Sequence, residues 1–309
     1  MFLFRRKPAP PPDAVRLDIL LYHFVSDECN DFTLSGHTVA TAEFRKQMEY
    51  LAGRCTMVRL GKAAGLASGA AGKGPFAAVC FDDGYRCVWE EAYPILREIG
   101  IPAMMFVNPP VLGNRDLLWR DKIRYLMRMG LEEEFVSFLR SRRGRYHFGS
   151  LGKLGFYKWS KNPKALGNMA IQQDVDAFFS GKGFDAAEIA SRNRLFMEEK
   201  DVANREFLEF GNHTWSHPIL TLLSAAEQKT EIGKCHEYLA ARGLAPTGLA
   251  LPFSPFNRKT VSLCRDFGYA YLLTVYEESN HLAPGKRDLP LILHRWMAPR
   301  DAGGMTSIV

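Results

Sequence analysis

The sequence lacks any long apolar run that is free of charges. No stretch approaches the roughly 18 to 20 residues that a membrane-spanning helix requires. A strong charge bias is missing as well, because 40 Lys and Arg residues stand against 34 Asp and Glu residues and leave a net charge of +6. Nucleic-acid-binding proteins show a stronger basic bias or aromatic residues interleaved with basic ones. We therefore expect no transmembrane segment and no nucleic-acid partner, and the composition leaves the oligomeric state open.

A metal-binding or redox pair of cysteines is also lacking. The chain has six cysteines, and no two of them form a C-x-x-C pair, so zinc ribbons and thioredoxin-type motifs are without support. The first residues do not resemble a secretory signal, because their apolar stretch is short and precedes the charges. We therefore expect reduced thiols and a cytoplasmic location, with a peripheral position on the inner membrane as the alternative.

The sequence does contain enough apolar residues for a sizeable core. Of its 309 residues, 47% are hydrophobic and 24% are charged, which is typical of a globular protein. A chain of this length buries well over half of its unfolded surface and needs no disulfide to hold its core. We predict a Pro-rich leader at residues 1–16 and a single domain at residues 17–309.

Short apolar runs alternate with helical patterns along this domain. The runs have strand length and span residues 17–22, 76–81, 103–107, 207–210, 248–251 and 270–275. Residues 86–99 show an apolar helical face that ends at Gly100, and Ser224 with Glu227 makes a capping box that opens another helix. Strands that alternate with helices predict a parallel sheet or barrel, with function at the carboxyl ends of the strands.

A polar, mostly helical stretch at residues 111–206 interrupts this alternation. We interpret it as a helical insertion between two barrel strands. Within it, residues 140–164 carry eight Lys or Arg residues and no Asp or Glu. This run fits either a solvated face or a clamp for an anionic sugar or lipid headgroup.

Two groups of polar residues follow predicted strands. Asp82, Asp83 and Gly84 directly follow the run at 76–81. Two adjacent carboxylates are costly to hold together unless a cation lies between them. His213 and His217 follow the run at 207–210, and two histidines four residues apart can face one metal ion if the backbone turns helically. Taken separately, the first group fits a turn with a helix cap, and the second fits two polar loop histidines.

Taken together, the two groups predict a catalytic metal site. One Asp and two His residues make a three-ligand set that leaves positions open for water and substrate. The other Asp is then free to act as a base, which takes the proton as the water attacks.

These residues resemble the motifs of the polysaccharide deacetylase family, also called carbohydrate esterase family four or the NodB homology domain. Residues 80–84 read C-F-D-D-G against the family pattern T-F-D-D-G, and residues 213–217 read H-T-W-S-H against H-[ST]-x-x-H. The resemblance implies an α/β fold, a distorted (β/α) barrel of about seven strands. It also implies that Asp82 is the general base and that a divalent metal, usually zinc, is held by Asp83, His213 and His217. These ligands also suit Co²⁺ or Ni²⁺.

The resemblance extends to weaker motifs with further implied roles. Residues 291–294 read L-I-L-H and fit L-x-x-H, which implies that His294 is the general acid. The family pattern R-x-P-[FY]-G falls on residues 250–254, where Ala250 takes the Arg place and Ser254 the Gly place. The charge partner of Asp82 is therefore open, and the candidates are Arg86, Arg258, Arg295 and Arg300.

Four residues are candidates for substrate binding. Pro252 and Phe253 would shape the pocket wall, or belong to the core. His23 stands in a Y-H segment like the one that starts many family members, where a pocket role and a core role are both open. The resemblance also suggests that a backbone N–H near Tyr85 stabilises an oxyanion.

We therefore expect a metal-dependent hydrolase that removes N-acetyl groups from an N-acetylated sugar, polysaccharide or glycolipid precursor. Its partner would be a carbohydrate substrate, with an anionic or lipid-linked form suggested by the basic insertion. One alternative is a binding protein of the same fold that has lost activity, which the missing Arg at position 250 favours. Another is a deacylase of non-sugar amides or O-acetyl esters. A glycosidase fits less well, because it needs a pair of carboxylates that flank the glycosidic bond.

Overall fold

The structure is a computed structural model that describes residues 10–28, 30–33, 37–66, 74–203, 205–283 and 288–309. Its strands are β1 (Val15–Tyr22), β2 (Phe24–Val25), β3 (Thr38–Val39), β4 (Thr56–Met57), β5 (Phe76–Phe81), β6 (Ala103–Val107), β7 (Leu208–Asn212), β8 (Gly248–Ala250), β9 (Tyr271–Val275), β10 (Asn280–Leu282) and β11 (Leu291–Met297). Its α-helices are α1 (Thr41–Ala52), α2 (Ala63–Leu66), α3 (Tyr93–Ile99), α4 (Trp119–Arg128), α5 (Glu132–Ser141), α6 (Leu151–Leu154), α7 (Phe156–Trp159), α8 (Pro163–Leu166), α9 (Ala170–Gly181), α10 (Ala186–Arg192), α11 (Ala225–Ala240) and α12 (Arg258–Asp266).

Seven parallel strands close into a barrel. Their order is β1-β11-β9-β8-β7-β6-β5, and β5 pairs again with β1, so the ring has no free edge. β4 lies parallel beside β5, and β10 pairs antiparallel with the first residues of β1, both outside the ring. The predicted fold, a distorted (β/α) barrel of about seven strands, is confirmed.

Side chains alternate between the barrel interior and the surrounding helices, as strand geometry requires. In β1, Leu17, Ile19 and Leu21 pack inside the barrel, and Leu20 and Tyr22 join the outer core against the helices. The interior is filled with apolar side chains and forms a packed core. Polar groups therefore gather at the carboxyl ends of the strands, where the interior opens.

Predicted and observed elements differ mainly at their ends. β1 begins at Val15, inside the predicted leader, and residues 1–9 of that leader lie outside the described residues. The predicted capping box at Ser224 and Glu227 is present at the start of α11. The pattern did not indicate β2, β3, β4 and β10, because two or three residues are too few to show a period.

The helices α4 to α10 lie between β6 and β7 and carry their own apolar core. This core includes Trp119, Ile123, Phe135 and Trp159. It continues onto the barrel through Tyr85, so these helices are packed against the end of the barrel at which β5 stops. We retain as a proposal that residues 111–206 are an insertion within one domain at residues 17–309.

Two expectations concern properties outside the barrel. None of the helices in the described part of the chain combines the length and apolar character of a membrane span. The cysteines described by the structure are all free thiols, and Cys29 lies outside the described residues.

Candidate active site

A cavity of about 320 Å³ opens at the carboxyl ends of the barrel strands. Six residues predicted for the site line it: His23, Asp82, Asp83, His213, His217 and Phe253. The side chains of Tyr85, Pro252 and His294 do not line it. Its other lining residues are Leu21, His37, Arg120, Arg124, Tyr157, Lys161, Leu251, Ser254, Val275 and Met297.

The loops that carry the polar side chains have unusual backbone angles. Asp83 has φ 74°, Thr214 φ 70° and His217 φ 59°, all in the left-handed region that L-residues rarely adopt. Gly84 follows with φ 76°, and a Cβ placed there would lie 3.2 Å from Cδ2 of Leu112. These angles turn the chain sharply after β5 and β7. Such strain persists only where the surroundings hold it, and it is concentrated at functional sites.

Asp83, His213 and His217 form a compact group of metal-ligand type. The Oδ1 atom of Asp83 lies 3.4 Å from Nε2 of His213 and 3.4 Å from Nε2 of His217. The three residues are buried, and their ligand atoms lie within 4.8 Å of one another. Oδ1 of Asp83 is buried with no hydrogen-bond partner among the described residues. A buried carboxylate oxygen facing two imidazoles fits a divalent cation.

The surrounding groups prepare both imidazoles for this role. Nδ1 of His213 lies 2.8 Å from the carbonyl oxygen of Ala250, which only accepts, so Nδ1 donates to it and Nε2 is the ring atom that faces Asp83. Burial lowers the pKa of His217 to about 3, so this imidazole is neutral at pH 7. Burial also opposes charge on His213, but Asp82 and Asp83 outweigh it and raise its pKa. The site therefore attracts positive charge.

The charge partner of Asp82 is Arg295. Nη1 of Arg295 donates to Oδ1 of Asp82 at 2.8 Å, and the Arg295 side chain is fully buried. Burial alone would raise the pKa of Asp82, but Arg295 reverses the shift and lowers it. Arg295 comes from β11, so a residue of another strand supplies the charge that is missing at Ala250. Arg86 is instead paired with Glu90 and Glu198.

His294, the predicted general acid, is one of the three predicted site residues that do not line the cavity. It precedes Arg295 in β11, and because successive strand residues point to opposite sides, its ring faces away from the interior. Nδ1 lies 2.8 Å from Oγ1 of Thr274, and Nε2 lies 3.0 Å from Oε1 of Glu278. The L-x-x-H pattern thus selects the residue beside the one that points inward.

Two other histidines line the cavity. His23 follows β1, and its ring centroid lies 5.3 Å from that of His37. His37 belongs to none of the motifs, so sequence reasoning did not identify it. The Nδ1 atoms of both are buried without a hydrogen-bond partner among the described residues. Burial lowers the pKa of His23 and lowers that of His37 to about 3.

Tyr85 and Pro252 have other positions. The Tyr85 ring is buried and stacked on Phe24, and its hydroxyl donates to Oδ1 of Asp121 at 3.0 Å. The suggested role of Tyr85 therefore depends on its backbone alone. Pro252 is buried beside Phe253, and it is Phe253 that faces the cavity, with its ring 4.8 Å from that of His217.

Sequence reasoning missed a group of cations on the cavity wall. Arg120, Arg124 and Lys161, hereafter the basic wall, all come from the helical region between β6 and β7. Of these three cations, only Lys161 belongs to the charge run at 140–164. Two arginines of that run, Arg142 and Arg145, pair with Asp174 instead. The run was therefore an inaccurate signal, since Arg120 and Arg124 lie in α4, before it.

Comparisons with known proteins give a matching family and several structures of similar fold. The polysaccharide deacetylase family model matches residues 69–132 and 189–272, which include Asp82, Asp83, His213 and His217. The curated proteins contain no match to the chain.

Three solved structures of similar fold each cover nearly all of this chain. Streptococcus pyogenes deacetylase PplD, in complex with acetate, has a TM-score of 0.55 and 16% identity, covering 96% of this chain and 98% of that chain. IcaB from Ammonifex degensii has a TM-score of 0.56 and 18% identity, covering 95% and 96%. A polysaccharide deacetylase from Bacillus cereus has a TM-score of 0.56 and 14% identity, covering 95% and 69%. At these identities the likeness shows a shared fold. The family match, which includes the site motifs, assigns this chain to the polysaccharide deacetylase family.

Proposed function

We propose that the protein is a metal-dependent hydrolase that removes the acetyl group from an N-acetylated sugar. The observation that carries the proposal is the arrangement of Asp83, His213 and His217 beside a further buried carboxylate, Asp82, in one cavity. Three ligands and a neighbouring base are what metal-assisted hydrolysis requires.

Asp83, His213 and His217 would hold the ion, with zinc as the first candidate and Co²⁺ or Ni²⁺ compatible with the same ligands. When bound, such an ion polarises the acetyl carbonyl and lowers the pKa of water. Oδ1 of Asp82 is held by Arg295, while Oδ2 lies 3.7 Å from Nε2 of His213 and faces the ligand group. Asp82 therefore takes the proton of the attacking water on Oδ2. Because Arg295 lowers the pKa of Asp82, this carboxylate is ionised at pH 7.

The leaving nitrogen needs a proton, and we assign its delivery to His23. His294 is held outside the cavity by Thr274 and Glu278, whereas His23 lines it. Burial lowers the pKa of His23, so the imidazole is neutral at rest. Asp82 passes to it the proton that the water lost, and the resulting imidazolium then gives this proton to the leaving nitrogen, which leaves both groups in their initial states. The C–N bond then breaks to give acetate and a free amine. The backbone N–H near Tyr85 stays the candidate for the oxyanion.

The alternative of an inactive binding protein loses its main support. That interpretation depended on Ala250 standing where the family has Arg. Because Arg295 reaches Asp82 from β11, the base retains a buried cationic partner. A neutral amide substrate and an ester would both fit the ligand group, so the products must distinguish them.

A combined metal and product assay tests the proposal. Purified protein reconstituted with zinc should hold about one ion per chain by elemental analysis. Asp83→Ala and His213→Ala should lose the ion, and His281→Ala, an exposed histidine outside the cavity, should keep it. Asp82→Asn should keep the ion and release acetate roughly 10²–10⁴-fold more slowly from N-acetylated glycans.

Two results would overturn parts of this scheme. Wild-type protein that binds no divalent ion after reconstitution would remove the metal mechanism. Acetate released without an equal amount of free amine would assign the activity to O-acetyl esters in place of amides.

A further inference from the structure

The basic wall contains cations that lack an acidic partner. Arg120 is 3% exposed, and its Nη1 donates to Oγ of Ser160 at 2.7 Å. Its guanidinium lies over the rings of Trp119 and Tyr157, at 5.0 and 4.6 Å from their centroids. In the part of the chain that the structure describes, Arg120 forms no ion pair. A buried guanidinium without a counter-charge is costly, so an anion is expected to complete the site.

The two other members of the basic wall show a similar deficit. Lys161 is partly buried, with Nζ 4.7 Å from the centroid of the Tyr157 ring, and makes no ion pair within the described ranges. Arg124 pairs through Nη1 with Asp121 at 2.7 Å, but its Nε is buried without a hydrogen-bond partner among those residues. Two of the three positive charges therefore have no carboxylate partner among the described residues.

The nearby carboxylates do not correct this excess. Asp82 is paired with Arg295, Asp121 is paired with Arg124, and Asp83 faces the two histidines of the ligand group. The excess of positive charge also affects the pKa of Tyr157. Burial would raise its pKa, but Arg124, Arg120 and Lys161 outweigh burial and lower it to about 7.

The basic wall lies close to the ligand group. The Phe253 ring lies between the two groups. Its centroid is 4.8 Å from that of the His217 ring and 5.8 Å from the Arg120 guanidinium. Nε1 of Trp119, the residue before Arg120, donates to the His217 carbonyl at 2.9 Å. A sugar whose acetamido group reaches Asp83 and His217 therefore brings its remaining substituents towards Arg120.

We propose that the basic wall binds an oxyanion, a phosphate or a carboxylate, carried by the N-acetylated sugar itself. The substrate class is then an anionic acetamido sugar in place of a neutral one, an inference that rests on the proposed function of the same cavity. Arginine pairs with both groups through parallel hydrogen bonds, and lysine adds a point charge. The small cavity requires the anion to lie on the acetylated sugar or directly next to it.

A calorimetric comparison of matched sugars tests this inference. Zinc-loaded Asp82→Asn protein, which retains the wall and turns over slowly, is titrated with N-acetylglucosamine, its 1-phosphate and its uronic acid. We expect an anionic sugar to bind at least about tenfold more tightly than the neutral one, as a charged hydrogen bond implies. Adding Lys161→Gln should reduce that preference by roughly tenfold, and adding Arg120→Gln should reduce it further.

Lys153→Gln is the matched control, because Lys153 is an exposed lysine of the same region that does not line the cavity. It should leave the preference unchanged, which separates wall binding from direct contact between the anion and the zinc. Lys161 is only partly buried, so its variant keeps the test decisive if Arg120→Gln fails to fold. The tighter of the two anionic sugars identifies the group that the wall accepts.

Equal binding of neutral and anionic sugars, or equal effects of Lys161→Gln and Lys153→Gln, would overturn the inference. Its failure differs from failure of the proposed function. Wild-type enzyme that deacetylates neutral and anionic sugars with the same kcat/KM would retain the function and remove the inference. Protein that binds anionic sugars through the wall but releases no acetate from them would retain the inference about binding and remove the proposed function.

Discussion

Replacing Arg295 with methionine should lower the free energy of unfolding by about 3–5 kcal/mol, because it leaves the Asp82 carboxylate buried without its partner. Nη1 of Arg295 and Oδ1 of Asp82 are 2.8 Å apart, and both side chains are nearly inaccessible to solvent. Denaturant unfolding of metal-free protein measures the change. Arg258→Met, which removes an exposed arginine, should cost far less.

The pH dependence of this loss follows from the pKa of Asp82. In the wild type, Arg295 lowers that pKa, so the stabilising contribution is present above the unfolded pKa and is lost as the pH falls through the folded one. Without Arg295, burial dominates and raises the pKa. The difference between variant and wild type should therefore be largest at high pH and shrink as the pH falls.

A double variant separates a charge effect from a packing effect. Asp82→Asn combined with Arg295→Met removes both charges and should recover much of the stability that Arg295→Met loses, without recovering activity. A double variant as unstable as Arg295→Met alone would mean that lost packing, and not an unpaired carboxylate, is responsible.

The second large effect is a difference in kcat between two histidine variants. His23→Gln should reduce kcat roughly 10²–10⁴-fold, because it removes the proton donor that lines the cavity. His294→Gln should change kcat by less than about threefold, since its imidazole is occupied by Thr274 and Glu278 outside the cavity. The measurement is the rate of amine release at saturating substrate, with zinc content checked for each variant.

The opposite ranking would restore the assignment that the L-x-x-H pattern implies. His37→Gln completes the series, because His37 is the other imidazole beside His23. A loss confined to His37→Gln would move proton delivery to that residue and leave His23 as its neighbour.

The sequence allowed the barrel and the ligand group to be predicted for a shared physical reason. Asp82, Asp83, His213 and His217 follow apolar strands directly, and the carboxyl ends of parallel strands meet at one end of a barrel. Local order along the chain is then enough to place these side chains together. The position of Phe253, just after β8, follows in the same way.

The parts that escaped prediction depend on contacts between distant segments. Arg295 lies 213 residues from Asp82, and only the inward register of β11 selects it from four candidate arginines. The same register places His294 on the opposite side, which a four-residue pattern does not encode. The cations of the basic wall come from α4 and from the turn between α7 and α8, and the packing of these segments on the barrel has no period in the sequence.

The pairing of β11 with both β1 and β9 links completion of the barrel to the pairing of the Asp82 carboxylate. The strand that joins the two sides of the ring is also the strand that carries Arg295. During synthesis on the ribosome, Asp82 emerges long before its partner, and a nascent chain that stops before β11 has an open barrel and an uncompensated carboxylate. A prematurely terminated product therefore lacks both the strand that closes the barrel and the charge that keeps Asp82 ionised, so under the proposed function the cavity becomes active only when the last strand has folded.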